Sequence, residues 1–88
     1  MGPAVDQELK RLRDEILRQL RQAGDEAARA VARGRQLEGR AEAALGRGHH
    51  RGDRIIAGLA RAVQDGERAQ SEIAAAVAEA EQIDIAGG

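Results

Sequence analysis

The residues best suited to chemistry sit together in the middle of the chain, at Gly46-Arg47-Gly48-His49-His50-Arg51-Gly52-Asp53. His49 and Asp53 have the i, i+4 spacing with which one helical turn offers two ligands to a metal. A tetrahedral site needs further ligands, and the chain has only two histidines and no cysteine. The histidines therefore read as turn residues, and Asp53 reads as the N-cap of a following helix. Arg51-Gly52-Asp53 also spells a cell-adhesion tripeptide, a match that three residues at a turn reach by chance. Ser71 is the single hydroxyl nucleophile, since Thr, Tyr and Cys are absent, and it lies between Gln70 and Glu72 far along the chain from either histidine. A nucleophile without a base in reach is not activated. These residues predict no catalytic group, no metal and no cofactor.

The elements that must position this stretch are two long segments of strong helix formers. Ala, Arg, Glu, Gln and Leu dominate, aromatic residues are absent, and Pro3 is the only proline. The expected fold is all-α: a helix over about 4–45, a turn over about 46–52 and a helix over about 53–84, forming an antiparallel hairpin. Pro3 suits a first helical position, where its missing N–H costs nothing.

In the first segment the apolar stripe reads Val5, Leu9, Leu12, Ile16, Leu20, Ala23, Ala27, Val31, Gly34, Leu37, Ala41, Leu45. Its mean step lies near the 3.6 residues of a straight helix. In the second, Ile56, Leu59, Val63, Gly66, Gln70, Ile73, Val77 and Ala80 alternate steps of three and four, the heptad spacing of a coiled coil. A flanking line, Ile55, Ala62, Ala69, Ala76 and Ile83, recurs every seven residues. Gly24-Asp25 and Asp65-Gly66 could each end one helix and cap another, giving a compact four-helix monomer. The stripes keep their phase across both sites, which favours two uninterrupted helices.

A reversal centred near residue 50 pairs residues whose numbers sum to about 100. Gly34 then meets Gly66, and these two are the expected point of closest helix crossing. In the same register Val5, Leu9, Leu12 and Ile16 at the start of the first helix run past the end of the second. An apolar helix face without cover is a partner-binding face, and these four are the candidate partner contacts.

The totals support association. Four Val, seven Leu and six Ile supply the large apolar side chains, a small core for one domain of this length. Self-association into a helical bundle, most simply a homodimer, or capture of a helical partner would bury what a lone hairpin cannot. No segment approaches the ~20 apolar residues of a membrane span. The N-terminus lacks the basic-then-apolar pattern of a secretory leader, so the expected location is the cytoplasm, or outside by a leaderless route.

Net charge is −1, with seven basic and three acidic side chains in residues 27–54. Arg29, Arg33, Arg40 and Arg47 raise polyanion binding, but the stacking aromatics of a nucleic-acid surface are missing. Basic residues toward the C-terminal end of a helix are equally expected from its dipole. Glu79, Glu81 and Asp84 run against the dipole of their own helix, which points to contacts or solubility.

Two long helices, the central Gly46-Arg47-Gly48-His49-His50 turn and the Ala-rich Ser71-Glu72-Ile73-Ala74-Ala75-Ala76-Val77-Ala78 run resemble the small helical-hairpin proteins of type VII (ESX) secretion. That family's Trp-x-Gly turn and Tyr-x-x-x-acidic signal are missing, since the chain has neither Trp nor Tyr. The resemblance implies a leaderless secreted effector or adaptor that works as a heterodimer with a second hairpin. The reading from the residues themselves is a non-enzymatic interaction or assembly module.

Overall fold

A computed structural model describes residues 3–46 and 48–83. Among them there are two α-helices and no strand: α1, Pro3–Leu45, and α2, His50–Glu81. They fold back on each other as an antiparallel hairpin 67 Å long and 14 by 13 Å across. Pro3 is the first residue of α1. α1 runs unbroken through Gly24-Asp25, and α2 through Asp65-Gly66. That excludes the compact four-helix alternative, because one glycine costs a helix only about 1 kcal/mol and the surrounding residues are strong formers. Arg47, Asp84 and the Gly87-Gly88 end lie outside the described residues.

The reversal is shorter than the sequence suggests. Gly46 (φ 69°) and Gly48 (φ 89°) both occupy the left-handed region, which glycine enters without a Cβ clash. Gly46 also ends α1, donating its N–H to the Glu42 carbonyl at 3.0 Å, the usual closure by a left-handed glycine. His49 is extended (φ −80°, ψ 114°) and its Nδ1 accepts the Gly52 N–H at 3.0 Å. The N-cap is therefore His49, and Asp53 lies inside the first turn of α2, its N–H donated to the His49 carbonyl at 2.7 Å. The imidazole reaches the third amide of the helix just as an Asx or Ser cap does, so α2 begins three residues before the expected Asp53.

Those three residues reset the register. A Cβ built on Gly34 would lie 2.8 Å from Val63 Cγ2, and one on Gly66 would lie 2.6 Å from Val31 Cγ2. Gly24 faces Ile73, and Gly52 faces Leu45. In all four pairs the residue numbers sum to 97, where the sequence suggested 100. Gly34 and Gly66 do mark a close crossing, but they do not meet each other. Each glycine receives a valine from the opposite helix, and those valines are two of the four most buried apolar residues, with Val31 5% and Val63 7% exposed.

Candidate interaction surface

The pairing at 97 defines the seam between the helices. On α2 it follows the expected line from Ile56 to Ala80, with Gly52 added at its start. On α1 it runs through Leu17, Leu20, Gly24, Ala27, Val31, Gly34, Glu38 and Ala41, all buried or half-buried. These positions also alternate steps of three and four. The apolar stripe of α1 has the longer period, so it shares Leu20, Ala27, Val31, Gly34 and Ala41 with the seam, steps off it at Leu37 and leaves it from Ile16 toward the N-terminus. Leu17 is buried while Ile16 is 51% exposed, and Glu38 is half-buried while Leu37 is 44% exposed. The expectation that Leu12, Ile16 and Leu37 line the inside of the hairpin is corrected on this point, whereas Leu45 does face inward, against Gly52.

Two unlike edges border the seam. Along one edge Arg35 meets Glu67 at 2.9 Å and Arg21 meets Glu81 at 3.6 Å, the two ion pairs that cross between helices among the described residues. This places Asp14, Arg21, Ala28, Arg35 and Glu42 of α1 beside Asp53, Ala60, Glu67, Ala74 and Glu81 of α2. The residues on the other side of the seam consequently share the opposite edge. There α1 contributes Ile16, Ala23, Ala30, Leu37 and Ala44, and α2 contributes Ile55, Ala62, Ala69, Ala76 and Ile83. None of the ten is polar.

This apolar edge gathers most of the large hydrophobic side chains left in water. Among the described residues the eight exposed ones are Val5, Leu9, Leu12, Ile16, Leu37, Leu45, Ile55 and Ile83. Leu9, seven residues before Ile16, continues the edge line, and Val5 and Leu12 lie on the adjacent line of the same face. Each of the four candidate partner contacts is thus about half exposed: Val5 45%, Leu9 44%, Leu12 42% and Ile16 51%. Sequence reasoning identified this N-terminal patch but missed its continuation along Leu37, Ile55 and Ile83. The signal was present in the seven-residue recurrence of Ile55 through Ile83, which becomes an edge only once the seam is located.

A second signal was also available. Ala28-Arg29-Ala30-Val31-x-x-Gly34 recurs as Ala60-Arg61-Ala62-Val63-x-x-Gly66. The repeat places a valine one turn before a glycine on both helices. An antiparallel pair can then seat each valine over the other helix's glycine, which is the observed crossing.

The electrostatics are those of a solvated rod. Arg11 forms charge-assisted hydrogen bonds with Glu8, which lower the Glu8 carboxyl below its ordinary range and raise the Arg11 guanidinium. Arg11 also lies 3.8 Å from Glu15, one turn on along the same helix, whereas Arg21 reaches across to Glu81 on the other helix. No basic residue lies in the last turn of α1, so the helix end does not account for Arg33 and Arg40. Among the described residues no helix is long and apolar enough to cross a membrane. No family model matches the chain, and neither the curated proteins nor the solved structures contain a match to it.

Proposed function

We propose that this protein is a non-enzymatic assembly module whose hairpins associate through the apolar edge, most simply as a homodimer forming a four-helix bundle. One observation carries the reading. Among the described residues five of the eight exposed large hydrophobics, Leu9, Ile16, Leu37, Ile55 and Ile83, fall on a single edge, while the ion pairs between helices lie on the other. Scattered apolar residues on a surface need no explanation, but a continuous line of them does. Alanines between the large residues allow a second pair of helices to approach closely, and packing there would supply burial that the thin seam lacks.

Sedimentation equilibrium over a concentration series tests this. The wild-type chain is expected to dimerise, and Leu9→Asp with Ile16→Asp to shift it to monomer with its helical circular dichroism retained. A wild-type monomer at every concentration would remove the homodimer. If such a monomer formed a one-to-one complex with a second small helical protein, the reading would move to the heterodimeric adaptor that the type VII resemblance implies.

A further inference from the structure

We infer that the occupant of the apolar edge is a second copy of this chain laid head to tail, with the turn of one hairpin over the open end of the other. This rests on the self-association proposed above and adds its orientation. The argument comes from the charged residues that border the edge on its outer sides. On α1 this border carries Glu26, then Arg33 and Arg40 toward the turn; on α2 it carries Arg51 near the turn, then Glu72 and Glu79 toward the open end. All six are exposed, and none takes part in the ion pairs recorded among the described residues. Asp65, level with Arg33 near the middle, is drawn instead toward Arg68 at 3.9 Å. The border is thus basic in the turn half and acidic in the open half.

A symmetric dimer has two ways to bring this edge against itself. A twofold axis along the hairpin sets turn beside turn. It brings α1 over the partner's α2 at the same height, where the attraction of Arg33 to Asp65 of the other copy is offset by Glu26 level with its Glu72, and Arg40 and Arg51 meet no acidic residue. A twofold axis across the hairpin reverses the second copy and lays Arg40 over Glu26 and Arg51 over Glu79, each twice per dimer, with Arg33 and Asp65 beside the axis. Opposed like charges cost association, and complementary borders set orientation. The size is adequate: a helical strip of ~33 residues is ~50 Å long. At the hairpin's width of 13 Å, such a strip covers on the order of 650 Å² per copy, within the range of specific interfaces.

The chain has no cysteine, so a single His50→Cys on the outer side of the turn end accepts one spin label per copy. Pulsed dipolar spectroscopy on the full chain, at concentrations where sedimentation shows dimer, then reads the orientation. Head to tail predicts a separation above about 40 Å, from fifteen or more residues at 1.5 Å on each side of the axis. A separation below about 30 Å would overturn the orientation while leaving self-association standing; absence of dimer in the sedimentation run would overturn both. Charge exchange gives an independent reading. Arg51→Glu is expected to weaken the dimer about tenfold, and adding Glu79→Arg to the same chain to restore it to within about twofold. Failure of the exchange to restore affinity counts against the head-to-tail border.

Discussion

Gly34 and Gly66 do the same work at two places. Each replaces a side chain with a notch, and a β-branched valine with few rotamers fills it. The helices can come close there only because the Cβ is missing, so the usual helix penalty of glycine is offset by packing. Gly34→Ala and Gly66→Ala should each destabilise the hairpin by about 1–2 kcal/mol, the overlap outweighing the propensity gain. Gly39 has nothing within 4 Å of its missing Cβ, and Gly39→Ala should stabilise by roughly 0.5–1 kcal/mol. Urea unfolding of the three variants checks the contrast, and equal effects at Gly34 and Gly39 would dismiss the notch. Adding Val63→Ala to Gly34→Ala should cost less than the sum of the two changes. The sequence made these two glycines legible as a crossing point. Their partners were not legible, because a register is an offset between two helices, and here that offset depends on the length of one turn.

At the scale of the element, that length is decided by where α2 starts. Asp53 has the side chain most often found at an N-cap, and composition alone favours it. His49 wins because the left-handed glycines at 46 and 48 complete the reversal before it, leaving it extended with Nδ1 in reach of the Gly52 amide. His49→Ala should therefore cost about 1 kcal/mol, while His49→Asn keeps the cap. Asp53→Ala should cost only a few tenths, as loss of an acidic first-turn residue. Thermal or urea melts of the three variants rank them, and a larger loss at Asp53 than at His49 would return the cap to Asp53. The helices themselves, their continuity through Gly24 and Gly66, and the inner line of α2 from Ile56 to Ala80 could be read from periodicity. The inner line of α1 could be read only in part. Its apolar residues serve two faces that share a seven-residue period, and a single stripe of longer period drawn through them passes from one face to the other.

At the scale of the molecule, the crossing is built from one repeated motif, so each helix presents what the other requires. The valine-over-glycine contacts do not depend on both helices belonging to the same chain. Ownership of the closure lies with the turn alone, through the high effective concentration that a four-residue connection imposes. Alanine at Gly46 and Gly48 would strain that connection, at roughly 1–2 kcal/mol for each residue held in the left-handed region. A chain relieved of its bend would be one rod of about 120 Å, and two such rods could close both seams by exchanging helices. Small-angle scattering of the Gly46→Ala, Gly48→Ala variant should then give a longest dimension near that length; a value near the hairpin's 67 Å would show the bend surviving. Two glycines would then separate a protein that embraces itself from one that can only be completed by a sibling.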